Sequence, residues 1–257
     1  MLAQAGPDPQ PDARDRSKPV LVPDVSQRDI EIAYSFTGAD LLLFGAILYP
    51  GGRVPAGRGT RWRDAPEVAV VVKGPPRSIL VREKKQVAGI WINAARLRFR
   101  SAPSFYAIAS SRPIERLLDG RTRAIYELGI DSLQLSPASS APADVQDRFG
   151  RGLVALQSRA GLYYEAPRAV EITDGVLYRA RLRIPARVPV GRFTAETFLI
   201  RDGRVLAAAV RAIDVRKSGA ERLVARAADR SSVAYGLTVV ALSVFLGWLA
   251  GWLAGRR

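Results

Sequence analysis

The chain has 257 residues, 48% of them hydrophobic, with no histidine, no cysteine and a formal net charge of +15. That length can bury one or two hydrophobic cores. The missing residue types exclude disulfides, thiol nucleophiles, cysteine metal sites and every triad built on a histidine base. There is also no Asp-rich calcium loop, no Walker loop and no dinucleotide glycine motif, so neither metal nor cofactor is expected and no catalytic residue is assigned. Of the 39 basic residues only five are Lys. The surplus favours anionic partners. The skew to Arg, with abundant Ala and Gly, is also what a GC-rich genome leaves on solvated faces.

Residues 1–24 read as a disordered lead-in rich in Pro and Asp. Within it Ala3-Gln4-Ala5 has the form of a signal-peptidase site, although no basic and apolar segments precede it. Two expectations stand: an exported chain, or a cytosolic tail-anchored protein. Residues 25–112 read as a β-rich module. Asp29–Phe36 alternates, and Leu41–Leu48 is a continuous apolar run of the kind found in strands buried on both faces. Residues 50–65 are a Gly-, Pro- and Arg-rich loop. Val68–Val72 is a β-branched strand ending at Gly74-Pro75-Pro76, and Ile79–Arg82, Ile90–Ile92, Leu97–Phe99 and Phe105–Ala109 are further short strands.

Residues 113–167 form a helical connector. Ile114–Leu118, Ala124–Leu128 and Asp144–Ser158 have helical spacing, with Asp144 as N-cap and Gly161 as the stop. Residues 168–216 return to strands. Tyr178, Ala180, Leu182 and Ile184 share one face and Arg179, Arg181 and Arg183 the other. Phe193–Ile200 and Val205–Val215 flank Asp202-Gly203, a type I′ hairpin turn. Residues 217–232 are a stem. Residues 233–255 (VAYGLTVVALSVFLGWLAGWLAG) carry no charge. A helix of that length is about 35 Å long, enough for a hydrocarbon core of roughly 30 Å, so a single transmembrane helix is expected. Ser243, Gly247, Gly251 and Gly255 form a small-residue stripe on it. The stripe either packs on a partner helix or reflects the ordinary abundance of Gly in membrane helices. The expected fold is mainly β: immunoglobulin-like sandwich modules with a helical insertion and one C-terminal transmembrane helix.

Three features are candidates for function. Arg96, Arg98 and Arg100, together with Arg179, Arg181 and Arg183, would make one basic face if their strands share a sheet. That face could bind a polyanion, an acidic partner or lipid headgroups, or it is an ordinary solvated face. Trp91, beside Arg82-Glu83-Lys84-Lys85, is either a core residue or a contact residue. Phe105, Tyr106, Tyr163 and Tyr164 serve either a partner or the core. A Ser–Lys pair (Ser104 or Ser110 with Lys84 or Lys85) could support catalysis without histidine, but no local motif backs it. No nucleic-acid-binding signature is visible.

The blocks SFTGADLLLFGAI (35–47), VVVKGPP (70–76), GIWINA (89–94), PSFYAIASSRP (103–113), GLYYE (161–165) and VPVGRFTAETFLIRDG (188–203), followed by the apolar terminus, resemble the alphaproteobacterial putative transmembrane protein family. The resemblance covers roughly residues 25–257 and implies a signal peptide, an exported domain and one C-terminal helix. The family has no assigned activity. Its members' genomic setting beside sulfite-exporter-like permeases implies an accessory role. The expectation is therefore an uncharacterised, non-enzymatic, single-pass inner-membrane protein with most of its chain in the periplasm. It would serve as an interaction subunit of a membrane complex, its partners the bilayer and another membrane protein such as a permease. The alternatives are a periplasmic anion- or glycan-binding module using the Arg-rich faces, and the tail-anchored cytosolic protein.

Overall fold

Alternating apolar residues and tight turns of positive φ build a mainly β body in the computed structural model. The structure describes residues 18–32, 38–52, 65–138, 140–217, 236, 240, 241, 243–248 and 251. In chain order the strands are β1 (Val20–Val25), β2 (Asp29–Ile32), β3 (Gly38–Leu48), β4 (Glu67–Lys73), β5 (Pro76–Val87), β6 (Ile90–Pro103) and β7 (Tyr106–Ser110). After helices α1 (Ile114–Leu117) and α2 (Gly120–Tyr126) come β8 (Ser136–Pro137) and α3 (Ala143–Arg159). The chain continues through β9 (Tyr163–Pro167), β10 (Val170–Thr173), β11 (Leu177–Pro185), β12 (Gly191–Arg201) and β13 (Arg204–Lys217).

The strands form three sheets: β1-β3-β11-β10, β2-β13-β12-β4-β7-β9 and β5-β6-β8. The stretches 25–112 and 168–216 therefore do not make separate modules. Each of the two larger sheets draws strands from both, and one compact unit holds Met1–Ile30 with Thr37–Val215. The second unit comprises Glu31–Phe36 and Arg216–Arg257.

Within the first unit the four- and six-stranded sheets face each other, with β11 against β7 and β10 against β4. Tyr178, Ala180, Leu182 and Ile184 are all buried and alternate with exposed arginines, the period-2 pattern of a strand covered on one face. The far face of the six-stranded sheet is covered too. Ala69, Val71, Tyr106, Ile108, Phe198 and Ile200 pack there against Ile114, Leu117, Leu118 and Leu128 of the α1–α2 region. Val68–Val72 consequently has no exposed residue on either side.

Burial on both faces thus belongs to β4, whereas Leu41–Leu48 departs from expectation. Leu41, Leu43 and Ile47 are buried, but Phe44 and Leu48 point outward into solvent, because nothing among the described residues covers the outer face of the four-stranded sheet. Gly45 lies where a Cβ would overlap the Val22 carbonyl and the Tyr178 ring, so only glycine lets Tyr178 lie under β3.

The predicted short strands 79–82, 90–92 and 97–99 merge into one long hairpin, β5–β6, whose inner face packs on α3. Val81, Leu97, Phe99 and Ala102 close with Phe149 and Leu153 into a second, smaller core. α3 begins one residue earlier than expected. Pro142 is its cap, and Asp144 lies in the first turn, where its charge complements the helix dipole. Gly161 (φ 71°) ends α3 with the paired bonds Gly161 N to Ser158 O and Leu162 N to Gln157 O, a Schellman motif. Asp202-Gly203 has φ of 50° and 72°, as a type I′ turn requires.

In the expected membrane segment 233–255, the described residues 236, 240, 241, 243–248 and 251 are helical. The other residues of that segment, Gly255 among them, and residues 218–232 of the expected stem lie outside the described residues, as do 1–17 of the expected lead-in. Residues 20–24 of that lead-in are not disordered but belong to β1, paired with β3. Among the described residues no helix is long and apolar enough to cross a membrane.

Candidate interaction surfaces

The outer face of the four-stranded sheet can be read row by row from its register. Cross-strand partners share a face. Val20 stands opposite Leu48, and Val22 stands in line with Ala46 and Leu177. Asp24, Phe44, Arg179 and Glu171 form the next row. Arg181 lies opposite Leu42 and Arg183 opposite Asp40. The face therefore grades from an apolar end to a charged one. Val20, Val22, Phe44, Leu48 and Leu177 are all exposed large apolar side chains. A shallow depression of about 530 Å³ runs over Val22, Phe44, Ala46, Leu177 and Arg179.

The arginine stripe is partly compensated. Arg179 donates to Glu171 from Nε (2.7 Å) and Nη2 (2.5 Å), and Arg183 faces Asp40 across the strands. Arg28 pairs with Asp24 at 3.0 Å, and Asp24 is held below the usual carboxylate range by the Val25 backbone N–H and by Arg28. Nor does the second stripe join the first. Arg96, Arg98 and Arg100 are exposed on β6, in the three-stranded sheet, while Arg179, Arg181 and Arg183 belong to β11 in the four-stranded one. Arg98 reaches Ser78 and Arg100 the Ala138 carbonyl. The condition for a single six-arginine face, a shared sheet, is not met.

The aromatics divide differently from expectation. Phe105, Tyr106 and Tyr163 are core residues, at most 1% exposed, so they offer nothing to a partner. Phe105 packs between Phe193 (5.9 Å) and Tyr164 (6.1 Å). The Tyr106 hydroxyl donates to the Glu127 carbonyl (2.8 Å) and accepts from Gly129 N–H (2.9 Å). Tyr163 donates to the Pro103 carbonyl and half-buried Tyr164 to the Arg183 carbonyl. Burial pushes the phenols of Tyr106 and Tyr163 well above their usual value and that of Tyr164 up to about 12. Trp91, by contrast, is 64% exposed at the far end of the β5–β6 hairpin, so the core reading of this residue does not hold.

Two arrangements have no local signature in the sequence. Lys73 bridges Glu127 (2.9 Å) and Glu196 (3.3 Å) at a half-buried junction of β4, β12 and the end of α2. These residues lie 54 or more positions apart along the chain; the pairing of β4 with β12 and the packing of the α2 end on the sheet bring them together. A cleft of about 610 Å³ opens beside α3, lined by Asp131, Asp147, Gln146 and Arg151 with Leu135 and Val154. The Ser–Lys arrangement is not assembled. Ser104, between β6 and β7, and Ser110, at the end of β7, are buried, while Lys84 and Lys85 are exposed on the hairpin. Among the described residues no cluster of three acidic side chains could hold a metal ion.

Residues 20–256 match the model of a family described as putative transmembrane protein (Alph_Pro_TM). The chain belongs to that family. The match runs through every strand described above and on through the apolar terminus, so one family model covers both the β body and the C-terminal segment. No curated protein matches the chain.

Proposed function

We propose that this family member is a single-pass membrane protein that works by contact, as an accessory subunit of a membrane complex. In this reading residues 233–255 cross the inner membrane and the β body stands on the periplasmic side. Ser243, Gly247, Gly251 and Gly255 face a partner helix. A Cβ at Gly247 or Gly251 would meet nothing within 4 Å, which leaves room for close helix approach. The partner is another membrane protein, of the permease class, with an apolar exported surface and acidic residues placed to meet Arg181.

The observation that carries this reading is the bare apolar end of the four-stranded sheet. Val20, Val22, Phe44, Leu48 and Leu177 stand together on neighbouring strands, exposed. Contiguous exposed apolar surface of this kind marks interaction sites. The reading as an anion- or glycan-binding module is the weaker one, since Glu171 pairs with Arg179 and Asp40 stands in register opposite Arg183.

The test is a photo-crosslinking residue placed at Phe44 in the full chain, in its native membranes. A discrete adduct with one membrane protein is expected, and Leu177→Asp should abolish it. Absence of any adduct from Phe44 and from Leu48 would remove the sheet face as the partner site. Phosphatase and fluorescent-protein fusions to the β body read its side of the membrane independently.

A further inference from the structure

The β5–β6 hairpin outruns its helix. Its turn, Ala88-Gly89, has φ of 48° and 82°, the positive pair of a two-residue hairpin corner. Pairing passes from Glu83↔Ala95 to Lys84↔Asn93, so β6 carries one extra residue, Ala94. A bulge of this kind shifts which residues share a face. Beyond it Lys85↔Ile92 and Val87↔Ile90 continue the face of Val81 and Leu97, while Gln86↔Trp91 continue the other. α3 covers that inner face as far as Val81, Leu97 and the half-buried Ala95. From Lys84 to Ala94 every residue is exposed. Val87, Ile90, Trp91 and Ile92 are thus a compact apolar tip without cover, Ile90 at 68% exposure.

Directly behind the tip stands a collar of cations. Arg82, Lys84, Lys85 and Arg96 are exposed there, and the one carboxylate of the hairpin itself, Glu83, is engaged by Arg148 at 3.3 Å. An apolar tip carrying Trp, ringed by long cationic side chains, has the chemistry of the headgroup region. The tip enters the acyl boundary while the ammonium and guanidinium groups meet phosphates. Its size speaks against a protein occupant. A stable protein interface engages roughly 20–30 residues a side, and the tip offers only residues 87–92. A bilayer sets no such minimum, and membership of a transmembrane family puts one within reach.

We propose that the tip of the β5–β6 hairpin, Val87–Ile92, inserts into the surface of an anionic lipid bilayer, with Arg82, Lys84, Lys85 and Arg96 on the headgroups. This contact is separate from the sheet face proposed above, and its test reads lipid rather than partner capture.

The chain has no cysteine, so Gln86→Cys gives a unique attachment point for a polarity-sensitive fluorophore. The full chain carrying that label is reconstituted into vesicles of phosphatidylglycerol and phosphatidylcholine, with nitroxide lipids as quenchers. Strong quenching by the shallow nitroxide is expected, and Trp91→Asp with Ile92→Asp should abolish it without changing far-UV circular dichroism. Each cation near an anionic surface contributes about fivefold to binding. Lys84→Gln with Lys85→Gln should therefore lower the ratio of inserted to free tip roughly 30-fold. Should the aspartate variant misfold, the lysine pair and the lipid series still decide the matter. A label never quenched by lipid overturns the proposal, as does a polarity change that follows protein density in the vesicle rather than nitroxide content. Equal quenching in pure phosphatidylcholine overturns the role given to the cations.

Discussion

β4 and the outer half of the β5–β6 hairpin are made of similar residues and end in opposite surroundings. Val68–Val72 lies between a second sheet and the α1–α2 region, and no atom of note reaches water. Val87, Ile90, Trp91 and Ile92 are as apolar, yet α3 stops short of them and they stand in solvent. The outer row of β3 repeats the second case, with Phe44 and Leu48 bare in an apolar run. Apolarity thus states that a residue is to be covered. Only the neighbouring elements state whether the chain itself supplies the cover. Where it does not, uncovered apolar residues stand in groups on a sheet face and at a hairpin tip, beside others such as Ile125, Leu156 and Val210 elsewhere on the surface.

The largest test of this contrast pairs a buried ring with an exposed one. Phe105→Ala removes a ring packed on Phe193 and Tyr164 and should cost about 3–5 kcal/mol. Trp91→Ala, at the tip, should change stability by no more than about 0.5 kcal/mol. Urea midpoints of the full chain in detergent measure both, and equal losses would break the comparison.

Next in size is Phe149→Ala on α3, expected to cost about 3 kcal/mol. Its ring belongs to the smaller core with Val81, Leu97 and Phe99, so the loss should be local. Amide exchange should quicken in β5, β6 and α3 and stay slow in Val68–Val72. A uniform quickening would mean that hairpin and sandwich open as one cooperative unit.

The smallest effect is one of pH. Tyr106, Tyr163, Tyr164 and Tyr178 lie in or against the sandwich, and burial raises all four phenols above their ordinary value of 10, Tyr164 to about 12. A raised folded-state value stabilises the fold fully below pH 10. The contribution is lost as pH rises through the folded values, because the unfolded chain gives up its protons first. Stability of the sandwich should therefore fall between pH 10 and 12, and Tyr164→Phe should flatten that fall. β5 and β6 contain no tyrosine, so exchange within the hairpin should respond less. A hairpin as alkali-sensitive as the sandwich would contradict the assignment.

Much of this protein follows from local pattern alone. The period-2 alternation of Tyr178–Ile184, the Asp202-Gly203 turn, the stop at Gly161 and the helical spacing of Ile114–Leu118 and Asp144–Ser158 each depend on residues close in sequence, whereas the helix expected at Ala124–Leu128 lies instead at Gly120–Tyr126. The short blocks between residues 35 and 203 that carry the resemblance to the family are local in the same way. Tertiary structure alone decided which strands became neighbours. That choice interleaves the two β-rich stretches, places the arginine stripes of β6 and β11 in different sheets, and closes Lys73 between Glu127 and Glu196. It also sends Phe105 and Tyr106 inward and leaves Phe44 and Trp91 out. The physical reason is that burial belongs to pairs of surfaces. A side chain's own chemistry sets how much it gains from cover, and the long-range pairing of strands and helices sets whether any cover arrives.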